Sequence, residues 1–329
     1  IGANWNGARG FTATSGPGIS LMSEFLGLAY FAEVPLVIFN IQRGGPSTGM
    51  PTRTQQSDIL SCAYASHGDT KHVLLFPEDP QECFEFSAEA FNLAERLQTP
   101  VFVISDLDIG MNDWVTDKFE WDDEQKYDRG KVLKAEDLDK MDNFGRYLDV
   151  DDDGICYRTY PGTHPEKGAF FTRGTSHDEY ARYTENGDIN EQTLTRLVKK
   201  FRTASELVPD PIINLSEKQG SSGVIFYGST SAAMYEAKDI LNENNIEVDL
   251  MRIRSFPFNL DVWEFIENHD LIYVIEQNRD SQMRTLIMAE GGISAEKLRS
   301  LVWFNGDPIQ AKFIAKKIYE RESQQALIT

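Results

Sequence analysis

Short apolar runs alternating with helical periods constrain this chain more than any other feature. In its first third the runs are Phe11–Thr14, Leu36–Phe39, His72–Phe76 and Val101–Ile104. Brief unbroken runs of this kind read as strands buried on both faces. After the first, Gly16-Pro17-Gly18 breaks the chain, with Pro17 suited to a helix start because the N–H it lacks would be unpaired there anyway. Ile19, Met22, Phe25, Leu26, Ala29 and Tyr30 then recur at helical spacing and mark a core face. Pro80 opens a further helix whose Phe84, Ala88 and Phe91 share a face. Strand–helix repeats of this type build a parallel sheet covered by helices.

The pattern returns after residue 222. Strands are expected at Gly223–Tyr227, Val248–Ile253, Leu271–Ile275 and Leu298–Phe304. Helices are expected at Ser231–Asn242, Leu260–Asn268, Ser281–Ala289 and Pro308–Tyr319. Between the two regions the text changes. Residues 106–160 hold 17 acidic and 8 basic residues and few apolar runs, which predicts a solvated, irregular connection with one short helix near Ala135–Met141. A helix over Glu191–Leu207 follows, closed by Pro209 and Pro211. With 329 residues, 41% of them hydrophobic, the chain is long enough for two such α/β units with cores of their own.

The net charge of −20 argues against a nucleic-acid backbone or an anionic membrane as partner. It leaves small-molecule substrates open, since a local basic pocket coexists readily with an acidic surface. No apolar run approaches the roughly 20 residues of a membrane-spanning helix. Cys62, Cys83 and Cys156 lie far apart, without the spacing of a disulfide framework, a zinc site or an iron–sulfur site. A reducing, cytoplasmic setting is the expectation.

Asn40-Ile41-Gln42-Arg43-Gly44-Gly45-Pro46-Ser47-Thr48-Gly49-Met50-Pro51-Thr52 follows the Leu36–Phe39 run and therefore leaves the carboxyl end of a strand. In open α/β sheets ligands bind outside those ends, and glycines there let a ligand approach the backbone. Arg43 stands in this loop with no acidic residue nearer in sequence than Glu33 and Asp58. Its planar fork suits a carboxylate or a phosphate, although a solvated surface arginine fits the local pattern equally well.

Other motifs say less. Gly16-Pro17-Gly18 lacks the lysine of a P-loop and the three-glycine dinucleotide spacing, so a tight turn is the simpler reading. Gly228-Ser229-Thr230 fits an anion site at a helix N-terminus, but a strand–helix turn with a Ser/Thr cap asks less. Asp149-Val150-Asp151-Asp152-Asp153-Gly154 matches the first half of a calcium loop, yet its twelfth position is Tyr160, without the bidentate carboxylate. An acidic turn is preferred over a metal site. His67, His164 and His177 have no nucleophile at useful spacing, and neither a nucleophile elbow nor an HExxH motif is present.

Three longer segments resemble a known family. They are Gly2-Ala3 with Gly7-Ala8-Arg9, Thr14-Ser15-Gly16-Pro17-Gly18-Ile19-Ser20-Leu21-Met22-Ser23-Glu24, and Gln42-Arg43-Gly44-Gly45-Pro46-Ser47-Thr48-Gly49-Met50-Pro51-Thr52-Arg53. Together they look like the α subunit of 2-oxoacid:ferredoxin oxidoreductases, most closely the 2-oxoglutarate type. Ala90–Glu95 with Pro100-Val101, Gly228-Ser229 with Glu236-Ala237, and Glu276-Gln277-Asn278 with Gln282 fit the same pattern.

The resemblance implies oxidative decarboxylation of a 2-oxoacid with thiamine diphosphate, turning 2-oxoglutarate into succinyl-CoA and passing electrons through an iron–sulfur cluster to ferredoxin. It implies an α/β fold of two parallel-sheet, three-layer domains. A pyrimidine-binding domain over residues 1–115, incomplete at its front, would be followed by an irregular connection over 116–215 and a transketolase-C-like domain over 216–329. The diphosphate, its Mg²⁺ and the cluster would belong to a β subunit. Ferredoxin and CoA would act on the complex. Arg43 would hold the substrate carboxylate, and Thr14, Ser15, Gly16, Pro17 and Gly18 would lie near the aminopyrimidine.

The family's activating glutamate and its Tyr-Pro-Ile-Thr-Pro loop would both precede Ile1. No catalytic residue is therefore expected within the chain, which reads as the back half of a longer protein, inactive alone; in many members of the family a CoA-handling γ region is fused upstream. The uncapped opening Ile1-Gly2-Ala3-Asn4-Trp5, without an initiator Met, accords with that; exposed apolar surface is expected to follow from it, which leaves non-physiological self-association open. The alternatives are a pyruvate or branched-chain 2-oxoacid enzyme and a non-catalytic scaffold of the same fold.

Overall fold

A computed structural model describes residues 1–216 and 222–325. The chain opens with α1 (Gly2–Trp5) and β1 (Phe11–Thr14), then α2 (Gly16–Leu21) and α3 (Ser23–Phe31). Next come β2 (Leu36–Gln42), α4 (Ile59–Ala63), β3 (Val73–Leu75), α5 (Pro80–Leu97) and β4 (Pro100–Asp106). The acidic middle contains α6 (Leu107–Met111) and α7 (Ala135–Asp139) and ends in α8 (Gly187–Ala204). Then follow β5 (Ile212–Asn214), β6 (Ser222–Tyr227), α9 (Thr230–Glu243), β7 (Asp249–Ile253) and β8 (Ser255–Phe256). The chain continues through α10 (Leu260–Glu267), β9 (Leu271–Glu276), α11 (Gln282–Gly291), β10 (Leu298–Val302) and α12 (Ala311–Gln325).

The strands form two sheets, in the orders β1-β2-β4-β3-β8 and β10-β9-β6-β7-β5. Both are parallel except at one edge, where β8 pairs antiparallel with β3 and β5 antiparallel with β7. β8 lies in the second half of the sequence yet completes the first sheet, with Leu74 opposite Phe256 and Leu75 opposite Ser255.

Alternation along the strands sorts their side chains into layers. On the first sheet Val37, Val73, Leu75, Val101 and Val103 point to one face and pack on Phe86, Ala90, Leu93, Ala94 and Leu97 of α5. Ile38, Leu74, Phe102 and Ile104 point to the other. On the second sheet Val224, Phe226, Leu250, Tyr273 and Ile275 face α9 and α12. Ile225, Met251, Ile253, Ile272 and Val274 face inward and join Ile38, Phe102 and their neighbours in one continuous cluster. Helices α4, α10 and α11 contribute Ile59, Phe265 and Leu286 to that shared core.

Three expectations need correction. Met22 interrupts the first helix, and Phe25 turns outward, 62% exposed, as does Leu21 at 88%. The face of α5 that enters the core is Phe86–Ala90–Leu93–Leu97, not Phe84–Ala88–Phe91. Phe84 instead stacks on Phe119 of the irregular middle, and Phe91 meets Phe11. Finally, β2 runs to Gln42 rather than stopping at Phe39, because the buried Asn40 and Gln42 have polar partners in the returning chain.

The irregular middle is held by charge. Arg196 and Lys200 of α8 reach Glu33 at 2.5 and 2.7 Å, while Arg129 meets Glu95 of α5 at 2.9 Å. The acidic turn reading of Asp149–Gly154 agrees with the hydrogen bonds found there. Asp149 accepts from the backbone N–H groups of Asp153 and Gly154, and Lys131 and Lys199 pair with the surrounding carboxylates. Gly154 has φ +82°, and a Cβ there would collide with the α8 backbone at Lys200. Among the described residues no group of three or more His, Cys, Asp or Glu could hold a metal ion, and no helix is long and apolar enough to cross a membrane.

Candidate functional site

Sheet order sets the carboxyl ends of β1 and β2 side by side. The segments leaving them line a cleft of about 880 Å³, closed on its far side by the ends of β9 and β10. Gly16 and Pro17 come from the β1–α2 turn, Arg43, Pro46 and Asp58 from the chain after β2. Asn278, Arg279, Gln282 and Phe304 face them from the second sheet.

The β1–α2 turn is tight. The N–H groups of Gly18 and Ile19 both donate to the Ser15 carbonyl, at 2.9 and 3.2 Å. A side chain on Gly18 would overlap the Thr14 hydroxyl, and one on Gly16 would strike the Asp58 carboxylate. Glycine at both places brings backbone, not side chain, to the cleft wall. Gly16 and Pro17 line the cleft itself, whereas Thr14, Ser15 and Gly18 form the turn behind them.

Arg43 is partly buried and lines the cleft. Its Nε is buried without a hydrogen-bond partner, and Arg43 forms no ion pair with any described residue. The Arg43 charge acts on Asp58 across the cleft wall. Burial raises the pKa of that carboxyl, opposed by the Asn40 amide, the Gly16 N–H and the Arg43 charge. The guanidinium therefore keeps donors available toward the cleft.

The second sheet fixes the loop that carries Arg43. The Gln56 N–H donates to the Gln277 carbonyl at 2.8 Å, and Asn278 Nδ2 donates to the Gln56 carbonyl at 2.9 Å. Gln282 Nε2 donates to the Ser57 carbonyl at 2.6 Å, and its Oε1 accepts from the Leu60 N–H. Behind these, Gln56 Nε2 and Ser229 Oγ both donate to Asp106 Oδ2, and Gln277 Nε2 donates to Ser229 Oγ. Ser229 thus makes no side-chain cap for α9; it belongs to this buried network. Glu276 caps a different helix, accepting from the Met283 and Arg284 N–H groups at the start of α11.

The histidines lie elsewhere in other roles. His67 is exposed. His164 Nδ1 accepts from two backbone N–H groups of its own loop. His177 is buried against Tyr147 and Phe31. Sequence reasoning missed Asp58, Ser61 and Phe304 in the cleft. The polar run Gln55-Gln56-Ser57-Asp58 directly before α4 was the available signal for Asp58.

The family model for pyruvate flavodoxin/ferredoxin oxidoreductase, thiamine-diphosphate-binding, matches residues 1–203. The chain belongs to this family. Among relatives, it is 32% identical over 338 residues to the 2-oxoacid:ferredoxin oxidoreductase 2 α subunit of Aeropyrum pernix, covering 100% of this chain and 51% of that protein. It is 36% identical over 274 residues to the 2-oxoglutarate synthase subunit KorA of Methanocaldococcus jannaschii, covering 80% of this chain and 68% of that protein. Among solved structures, the 2-oxoglutarate:ferredoxin oxidoreductase of Magnetococcus marinus superposes with a TM-score of 0.86 at 27% identity. That match covers 97% of this chain and 54% of the other. The chain thus spans about half the length of the Aeropyrum and Magnetococcus family members.

Proposed function

We propose that this chain forms part of the α subunit of a thiamine-diphosphate-dependent 2-oxoacid:ferredoxin oxidoreductase that converts 2-oxoglutarate to succinyl-CoA and passes the electrons to ferredoxin. One observation carries the reading: in a chain of this family, Arg43 stands on the wall of an 880 Å³ cleft with no carboxylate paired to it. An unpaired guanidinium in a concave site suits an anionic group, and its fork matches a carboxylate; Arg279, the other guanidinium lining the cleft, is held by Asp280. Relatives described as 2-oxoglutarate synthase subunits support this substrate over pyruvate or a branched-chain 2-oxoacid.

The residues present fit a flat heteroaromatic ring beside a carboxylate. Gly16, on the cleft wall, offers backbone to one face of such a ring. When bound, thiamine diphosphate supplies the electron sink that lets a 2-oxoacid lose carbon dioxide. Arg43 orients the substrate, the Thr14–Gly18 turn backs the ring, and Asp58 steadies both by bonding the Gly16 N–H and facing Arg43. The diphosphate, its Mg²⁺ and the iron–sulfur cluster are assigned to a partner β subunit.

The test is turnover by the full-length protein with its partner subunit on a panel of 2-oxoacids, with CoA and a low-potential acceptor. CoA-dependent oxidation with highest kcat/KM for 2-oxoglutarate is expected. A preference for pyruvate or a branched-chain substrate would overturn the substrate assignment, and no turnover of any 2-oxoacid would overturn the reading.

A further inference from the structure

Five of the described helices have Asp or Asn at the N-cap position, and four of those side chains cap their helix. Asp79, Asp106, Asn186 and Asn259 sit in extended backbone, with ψ of 177°, 177°, 123° and −178°. Each accepts from an N–H group of the first turn, which is what extended backbone at an N-cap allows. Asp58, at the start of α4, is the exception. With φ −104° and ψ 9° it makes no side-chain cap. Instead Asn40 Nδ2 donates to Asp58 Oδ2 at 3.1 Å, the Gly16 N–H donates to the same carboxylate, and Arg43 acts on it through its charge. Asp58 therefore serves the cleft wall and leaves its own helix uncapped.

A side chain of the second sheet takes over the cap. Leu60 is the second residue of α4, and its N–H is one of those an N-cap side chain ordinarily accepts from. It donates to Gln282 Oε1 at 3.1 Å. The other end of the same amide, Gln282 Nε2, donates to the Ser57 carbonyl at 2.6 Å. One amide thus grips the chain on both sides of Asp58. Between those points the Asp58 N–H donates to Gln42 Oε1 at 3.0 Å, on the residue next to Arg43. Gln282 is itself anchored at the start of α11, where its N–H donates to Asn278 Oδ1 at 3.2 Å.

We propose that Gln282 is a positioning residue of the substrate site, capping α4 in place of Asp58 and so keeping the Asp58 carboxylate on Gly16 and Asn40 at the cleft wall. Without the Gln282 oxygen the Leu60 N–H loses its acceptor. Asp58, freed at Ser57, then extends its backbone and caps its helix as the other four residues do. Gly16 loses the carboxylate that ties its turn to the wall. The kinetic consequence rests on the function proposed above; the exchange of caps does not.

The test uses the full-length protein with its partner subunit. In crystals of Gln282→Met the Asp58 carboxylate is expected within hydrogen-bond distance of the Leu60 or Ser61 N–H, away from Asn40. An Asp58 that stays on Asn40 and Gly16 overturns the proposal. Gln282→Glu keeps the accepting oxygen and is expected to leave Asp58 in place. That variant decides the question alone if Gln282→Met does not fold, since an Asp58 capping α4 in it would also overturn the proposal. With 2-oxoglutarate, Gln282→Met is expected to lower kcat by roughly 5- to 20-fold, with little change in KM, because moving a negative charge away from Arg43 does not weaken its hold on an anion. Asp58→Ala is expected to lower kcat by a similar factor, and the double variant by no more than the larger single change. Effects that multiply would show that Gln282 acts apart from Asp58 and overturn the positioning role. A wild-type complex that turns over no 2-oxoacid would refute the function alone, while the crystals would still decide the exchange of caps.

Discussion

Glu33 shows how far a single side chain is decided by its partners. Burial alone would raise its pKa, but the charges of Arg196 and Lys200 outweigh burial and hold the carboxyl below the usual range. A carboxyl whose folded pKa lies below its unfolded value of 4.5 stabilises the fold above that pH, and the contribution disappears as pH falls through the folded value. Glu33→Gln should therefore cost about 3–5 kcal/mol at neutral pH, since it leaves two buried cations without their carboxylate. Denaturant melts at pH 7 and pH 3 would show a large gap between variant and wild type at pH 7 that narrows at pH 3; an equal gap at both would refute the assignment. At this scale the sequence was uneven as a guide. Arg43 could be singled out because it stands alone in a glycine loop after a strand. Asp58 could not, because its approach to Gly16 and Asn40 depends on the chain folding back from the loop. Glu33 gave no signal either, since Arg196 and Lys200 lie over 160 residues away.

Elements were legible where they bury continuous apolar runs. Each main strand lies where such a run predicted it, with ends moved by a few residues. The two edge strands were invisible, because β5 and β8 span only three and two residues and exist through their antiparallel partners. Helix α5 was placed but turned the wrong way, since it is apolar on two sides. Phe84 and Phe91 form one stripe, Phe86, Leu93 and Leu97 another, and only tertiary packing chooses between them. The junction of α5 with the second sheet is similarly hidden in sequence. Arg252 of β7 is 1% exposed by side chain and grips Glu82 of α5 with two bonds, at 2.6 and 2.8 Å, while Glu78 lies at 3.1 Å. Arg252→Ala should destabilise the protein by about 3–5 kcal/mol, leaving Glu78 without its cation and Glu82 with Arg254 alone, at 2.9 Å. Chemical denaturation of the purified variant checks this, and a midpoint equal to wild type would show that the pair contributes nothing to holding the sheets together.

On the scale of the whole molecule, the cleft is a product of both sheets. The loop carrying Arg43 leaves the first sheet, but its backbone is fixed by Gln277, Asn278 and Gln282 of the second, and one hydrophobic core runs beneath both. The two α/β units were legible from periodicity, and the family from its motifs. That their strand ends converge on one cleft was not, because it depends on how the sheets pack. The central claim is that Arg43 receives the substrate carboxylate in that cleft. Kinetics of Arg43→Lys in the complete enzyme test it most directly, because lysine keeps the charge but loses the bidentate fork. The expected result is a roughly 10- to 100-fold loss of kcat/KM for 2-oxoglutarate, the equivalent of about 1.5–3 kcal/mol for a charged hydrogen-bonded contact, with an unchanged melting temperature. A variant with wild-type kcat/KM would contradict it.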